Sequence, residues 1–307
     1  MSTSRTIRLI APSGYCQHQS AAERALERLS GDHRVENTSV IQRRSQRFAG
    51  TDAERLKDIN ELVTLTELPD IVLAVRGGYG MSRLLPDIDY PGLHARLSQQ
   101  PALLCGHSDF TALQLALLAK TGLVTFSGPM LAGNFGAETL SAFTDTHFWS
   151  LLSQPEYSLN WEDNHDLSGH WQGQLWGGNL AMICSLVGTP WLPKISQGIL
   201  VIEDINESPF RVERMLLQLH HAGILAQQKA IITGSFTHGE PTAYDDGYQL
   251  DTVWEYLQQK TGVPFINNLD FGHNADTVTL PIGAQATLIA QQKQRQLQLT
   301  DYPYLQP

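Results

Sequence analysis

The segment Leu103-Leu-Cys-Gly-His-Ser-Asp-Phe-Thr-Ala112 constrains this chain more than any other. A short apolar run stops at Gly106 and Ser108 follows two residues later. Phe110, Leu113, Leu115, Leu117 and Leu118 then give a helix-like apolar pattern. The pattern predicts a strand, a sharp turn and a helix, with Ser108 on the turn. A serine so placed projects its hydroxyl from the C-terminal edge of a sheet. The free N–H groups and positive dipole end of the following helix lie beside it. Two readings fit: a nucleophile elbow, or a helix cap supplied by Ser108 or Asp109. The G-x-S-x-G signature needs glycine at 110, where this chain has Phe110. A standard α/β-hydrolase elbow is therefore not expected.

The surrounding pattern is alternating strand and helix. Residues 6–11, 34–40, 70–75, 102–105 and 124–126 read as strands, and several of them are fully apolar. Residues 21–29 have helical spacing, Thr51 with Glu54 forms a capping-box pattern opening a second helix, and 81–85 is a short third. Apolar strands without polar alternation predict a parallel sheet covered on both faces, in an open α/β domain with sites at strand C-termini. Residues 154–173 turn polar and rich in Trp, Asn, Asp, His and Gly. They divide the chain into an N-terminal domain over 1–150, a crossover over 151–173 and a C-terminal domain over 174–307. The last reads as helices at 180–186, 210–222 and 250–261, with strands at 198–203, 230–236, 277–281 and 284–290.

Composition excludes several classes of function. The chain has 307 residues, 42% hydrophobic and 17% charged, with a net charge of −10. Without a basic run, neither nucleic acid nor an anionic membrane surface is an expected partner. The N-terminus runs straight into a strand pattern without an apolar leader, and no stretch has the length of a membrane span. Three widely separated cysteines, Cys16, Cys105 and Cys184, predict neither disulfides nor zinc, and fit a reducing cytoplasm. No cluster has metal-ligand spacing, and no glycine-rich segment has a nucleotide-binding pattern, so no metal or cofactor is expected.

A serine nucleophile needs a base, and the base needs an orienting group. Among eleven histidines, His273 leads. It sits in Asp270-Phe-Gly-His-Asn-Ala-Asp276, where Gly272 permits a turn presenting the imidazole at a strand end. His107 adjoins Ser108 and is expected to pack instead. The carboxylate comes from Gly198-Ile-Leu-Val-Ile-Glu-Asp-Ile-Asn-Glu207. There Glu203 and Asp204 follow four apolar residues; Glu207 is an alternative, and a cap or an ion pair with Arg211 or Arg214 is a second reading. Arg76-Gly-Gly-Tyr-Gly80 closes a buried strand. The Gly78 N–H and the Asp109 N–H could together hold an oxyanion. Arg76 either grips a substrate carboxylate or pairs within the domain. Asn179, in Gly177-Gly-Asn-Leu180, is a candidate to line the cleft.

Taken in order, Arg76–Gly80, Gly106–Asp109, Phe126-Ser-Gly-Pro129, Trp176–Leu180, Ile202–Arg214 and Asp270–His273 resemble the LD-carboxypeptidase family of serine peptidases over nearly the whole chain. The resemblance implies a class I glutamine amidotransferase-like (flavodoxin-like) parallel-sheet N-terminal domain and a smaller mixed α/β C-terminal domain. It implies a triad of Ser108, Glu203 and His273, split between the two domains, with no metal and commonly a homodimer. The implied reaction is cytoplasmic release of the terminal D-alanine from L-Ala-γ-D-Glu-meso-diaminopimelate-D-Ala, free or sugar-linked, in peptidoglycan recycling. His107 stands where many relatives carry an aromatic residue. Two alternatives remain. A microcin-immunity type of the same family cleaves peptide–nucleotide conjugates, and Trp171 and Trp176 are its candidate substrate contacts here. A non-catalytic ligand-binding α/β protein would need neither Ser108 nor His273.

Overall fold

The computed structural model describes residues 4–306. The first half builds β1 (Thr6–Ile10), α1 (Gln19–Ser30), β2 (Arg34–Glu36), α2 (Asp52–Asn60), β3 (Ile71–Ala74), α3 (Tyr90–Leu97), β4 (Leu103–Gly106), α4 (Thr111–Thr121), β5 (Thr125–Ser127) and α5 (Ala142–Leu152). Its five strands pair in parallel in the order β2-β1-β3-β4-β5. In doubly wound sheets of this order, sites gather at the carboxyl ends of the strands. Every residue of β3 and β4 is buried, which explains the lack of polar alternation in their sequences. The strand expected over 34–40 stops at Glu36. Asn37 turns the chain at φ 58° and donates its side-chain amide to the Leu9 carbonyl, and a 3₁₀ turn, Thr38–Ile41, follows.

The second half builds β6 (Tyr157–Glu162), β7 (Gly169–Asn179), α6 (Leu180–Ser185), β8 (Ile199–Ile205), α7 (Pro209–His221), β9 (Ala230–Thr237), α8 (Leu250–Thr261), β10 (Phe265–Ile266), β11 (Leu280–Ile282), β12 (Gln285–Gln291) and β13 (Gln294–Thr300). The second sheet runs β10-β9-β8-β7-β12-β13-β6. Strands β7 to β10 pair in parallel, and β12, β13 and β6 add an antiparallel meander. The polar stretch 151–173 is therefore not a plain crossover, because it carries β6 and the first half of β7. These are half-exposed edge segments, so their outward positions are polar. Strand β11 leaves the second half altogether. It pairs antiparallel with β5, Leu280 opposite Ser127, and covers that edge of the first sheet.

Helix α4 joins the two halves. It packs against β5 and β11 on one side and against β7 and α6 on the other. Residues Thr111 to Leu118 are all buried, so its sequence is apolar all round rather than striped. Each fully buried leucine contributes roughly 1.5–3 kcal/mol. The turn that starts at Ser108 is thus anchored by a helix wedged between the sheets.

Candidate active site

Ser108 follows β4 directly and opens a 3₁₀ turn, Ser108–Phe110, that leads into α4. Its φ is 64°, a left-handed conformation rare outside glycine, costing about 1–2 kcal/mol. The residue is partly exposed, and no side-chain cap bond closes the turn. Asp109 does not cap α4 either. Its Oδ2 accepts from the Met81 N–H at 2.9 Å, which ties the nucleophile turn to the end of the Arg76–Gly80 loop. A serine at positive φ between a buried strand and a helix fits the elbow reading better than the cap reading.

The Arg76–Gly80 loop comes very close to this serine. A Cβ added to Gly77 would stand 2.7 Å from Ser108 Cβ and 2.9 Å from its Oγ. The Gly77 carbonyl accepts from Gly14 N at 3.1 Å. In a planar trans peptide the Gly78 N–H points the opposite way. Neither that N–H nor the Asp109 N–H has an acceptor among the described residues. One of these unpaired donors is on the residue after Ser108 and the other on the loop whose Gly77 approaches it, and free backbone donors are what an oxyanion needs. Arg76 donates from Nη1 to the Tyr15 carbonyl at 2.8 Å and makes no ion pair among the described residues. Its remaining guanidinium donors stay available to a carboxylate.

Glu203 lies inside β8 rather than at its end, at an irregularity where the pairing with β9 shifts between Ile202 and Asp204. The shift re-aims the side chain, as bulges near sites commonly do. Glu203 is buried, and both of its oxygens are engaged: Oε2 stands 2.7 Å from His273 Nδ1, and Asn179 Nδ2 donates to Oε1 at 3.2 Å. Gly272, at φ 144°, gives His273 the turn it needs. Nδ1 then carries the proton donated to the carboxylate, and Nε2 is left as the basic nitrogen. Burial alone would lower the His273 pKa; the bond to Glu203 and the charges of Glu203 and Asp204 outweigh it and raise it above 6.5. No hydrogen bond joins Ser108 to His273 among the described residues; such contacts often tighten only with substrate. The residue next to Ser108 does meet His273: the His107 ring lies edge-to-face with that of His273 at 4.9 Å.

Asn179 is not a cleft-lining residue. It is buried, caps α6 by accepting from Met182 N, and its backbone N–H donates to Thr111 Oγ1 on α4 at 3.1 Å. Its Nδ2 also reaches Asp204 Oδ1 at 3.0 Å. It thereby ties the helix that follows Ser108 to the acidic pair. Asp204 is pushed up to about 6, first by burial and further by the Glu203 charge, against the N–H donors of Ile205 and Ala181 and the Asn179 amide. Trp176 is no substrate contact: it is fully buried and its indole N–H donates to Gln228 Oε1 at 2.8 Å. The first half of β7 is half-exposed while residues 175–179 are covered on both faces, so its sequence gives no direction to that ring. Trp171 sits further back on β7, opposite Leu288 and over Gly169.

Two family models match the chain: the LD-carboxypeptidase N-terminal domain over residues 7–128 and the LD-carboxypeptidase C-terminal domain over residues 172–288. The murein tetrapeptide carboxypeptidase of Pseudomonas aeruginosa is 32% identical over 259 residues, covering 81% of this chain and 81% of that protein. The chain belongs to the LD-carboxypeptidase family. It is a serine-type carboxypeptidase, like its relatives. A crystal structure of muramoyltetrapeptide carboxypeptidase from Oxalobacter formigenes is 43% identical, with a TM-score of 0.89 over 97% of this chain and 99% of that one. The microcin C7 self-immunity protein of Escherichia coli is 31% identical over 270 residues, covering 78% of this chain and 76% of that protein.

Within this LD-carboxypeptidase, the residues missing from the sequence reading are Gly77, Thr111 and the bridging role of Asn179. Gly77 could have been suspected as the first glycine after Arg76. Nothing local marks Thr111, whose role depends on how the sheets pack. Among the described residues no group of three or more His, Cys, Asp or Glu side chains could hold a metal ion, and no helix is long and apolar enough to cross a membrane.

Proposed function

We propose that this LD-carboxypeptidase releases the terminal D-alanine of murein tetrapeptide, free or sugar-linked, by hydrolysing its bond to meso-diaminopimelate. The observation that carries the reading is the buried Glu203–His273 pair at 2.7 Å, one ring away from a serine held at φ 64°. His273 Nε2 takes the proton of the Ser108 hydroxyl as Oγ bonds to the scissile carbonyl carbon. The amides of Gly78 and Asp109 receive the developing oxyanion, each donor contributing about 10²–10³ in rate. The C–N bond breaks as His273 returns the proton to the amine of D-alanine. Water, deprotonated by His273, then hydrolyses the ester and frees Ser108. Arg76 pairs with the substrate's terminal carboxylate, which makes the enzyme an exopeptidase.

The rest of the reading follows the family resemblance. Three free, buried cysteines fit action in the cytoplasm. The homodimer, the glutamine amidotransferase-like N-terminal domain and the division near 151–173 belong to the same proposal, and the two family matches, 7–128 and 172–288, support the division. The test is incubation with murein tetrapeptide, the corresponding pentapeptide and an aminoacyl sulfamoyl adenosine, with products identified by mass spectrometry. Release of D-alanine from the tetrapeptide is expected. Cleavage of the nucleotide conjugate alone would replace this reading with that of a conjugate hydrolase. Of Trp171 and Trp176, the residues expected to meet a nucleobase, Trp176 is fully buried and Trp171 is half-buried.

A further inference from the structure

Beside His273 the fold leaves a cavity of about 340 Å³, between residues 130–144 and residues 273–275. Its polar lining includes His107, Asn134, Thr139, Ser141, His273 and Asn274, with no lysine or arginine. His107 is only 5% exposed, and its Nδ1 stands 2.8 Å from the Gly128 carbonyl oxygen. A carbonyl only accepts, so Nδ1 carries the proton and Nε2 presents a bare lone pair. Nε2 has no hydrogen-bond partner among the described residues. Burial, with His273 nearby, pushes the His107 pKa down to about 4, so the ring stays neutral at ordinary pH. Two other side chains are also half-used. Asn134 Oδ1 accepts from Met130 N at 3.0 Å, which leaves its NH₂ as a donor. Asn274 Nδ2 donates to Ser235 Oγ at 2.8 Å, which leaves its Oδ1 as an acceptor. Among these side chains, His107 Nε2 and Asn274 Oδ1 are free acceptors and the Asn134 NH₂ is a free donor, and the lining carries no lysine or arginine.

We infer that this cavity receives the amino-bearing side chain of the residue whose carbonyl Ser108 attacks, with His107 Nε2 accepting one of its N–H bonds. The inference rests on the proposed function and names the group that sets its specificity. The departing D-alanine suits the cavity poorly. Its carboxylate has Arg76 to meet on the loop beside Ser108, outside this cavity, and its methyl group would leave most of the volume unfilled. The far end of diaminopimelate carries an ammonium and a carboxylate, which match the acceptors and the donor.

The experiment uses three tetrapeptides ending in D-alanine, with diaminopimelate, its side-chain N-acetylated form, or norleucine as the third residue. D-alanine release is followed for the wild type and for His107→Phe. A charged hydrogen bond predicts a wild-type kcat/KM at least about tenfold higher for diaminopimelate than for either other peptide, mostly through KM. In His107→Phe that ratio falls towards one. Wild-type turnover of all three peptides within about twofold, or an unchanged ratio in the variant, would overturn the inference. If His107→Phe does not fold, the wild-type ratio of free to acetylated amine decides alone. Release from none of the three overturns the proposed function and this inference with it; equal release from all three overturns only this inference.

Discussion

Glu203 Oε2 and His273 Nδ1 stand 2.7 Å apart across 70 residues of chain, and the carboxylate is buried on the side away from the imidazole's free nitrogen. That pairing raises the His273 pKa above 6.5 against the opposing effect of burial. A base must be neutral to act, so kcat/KM should rise with pH through an apparent pKa above 6.5. Glu203→Gln removes the charge that stabilises the imidazolium. It should lower kcat by about 10²–10⁴ and move the acidic limb to lower pH. A pH–rate profile checks both effects, and a limb that stays in place in Glu203→Gln would show that another group titrates.

Gly77→Ala should damage catalysis far more than stability. The added methyl meets Ser108 Cβ at 2.7 Å and Oγ at 2.9 Å, so the serine must shift. A displacement of that size costs kcat on the order of 10²-fold. Gly122→Ala is the control. It carries left-handed strain that Gly77 does not have, φ 72°, with nothing within 4 Å of the new Cβ. It should cost about 1 kcal/mol of stability and leave turnover unchanged. Equal kcat in the two variants would contradict the close approach of the loop to the nucleophile.

Asn179→Ala should lower kcat more than it raises KM. The side chain bonds Glu203 and Asp204, and its backbone reaches Thr111 on the nucleophile's helix. Loss of the amide strips buried Glu203 Oε1 of its donor and leaves Asp204 Oδ1 with the Ile205 N–H alone, at about 1–3 kcal/mol. Asn179→Asp should be worse, since it sets a third carboxylate beside two others. Thermal melts and steady-state kinetics distinguish this positioning role from a substrate contact, which would raise KM first.

His107 should contribute an acid-dependent loss of stability. Its pKa falls from 6.5 to about 4 on folding, because burial and the nearby His273 disfavour the charged ring. Between those values the unfolded chain binds a proton that the folded protein excludes, so stability falls as pH drops through that window. The full effect is on the order of 3 kcal/mol. Asp204 acts in the opposite sense: raised from 3.8 to about 6, it favours the folded state at the acidic end and loses that contribution as pH rises. Comparing the wild type with His107→Phe isolates the histidine. The variant's Tm relative to wild type should be a few degrees more favourable at pH 5 than at pH 7.5; a constant difference would contradict a neutral, buried ring.

Several parts of this candidate site carry local signals in the sequence. Ser108 follows an apolar strand closed by glycine, His273 follows Gly272, and Glu203 follows four apolar residues. Each signal is local, and the resemblance to a known family joined them. The rest depends on packing. Trp176 could not be placed, since residues 175–179 are covered on both faces and the two sides of the strand look alike in sequence. Strand β11 is three residues long, and nothing in Leu280-Pro-Ile282 says that it crosses to the first sheet. Strand β13 went unread although Gln294–Thr300 alternates buried and open positions, so that signal was present. The glycine pair before Asn179 suggests a cleft position, whereas its side chain is held inward by Glu203, Asp204 and the Met182 N–H.

The most direct test of the account is D-alanine release from murein tetrapeptide by the wild type and by Ser108→Ala, measured by mass spectrometry on proteins with matching circular dichroism. The wild type should convert tetrapeptide to tripeptide plus D-alanine. Ser108→Ala should retain the fold and lose activity by at least about 10³-fold. Tetrapeptide cleavage by Ser108→Ala at the wild-type rate would contradict a serine nucleophile at this turn.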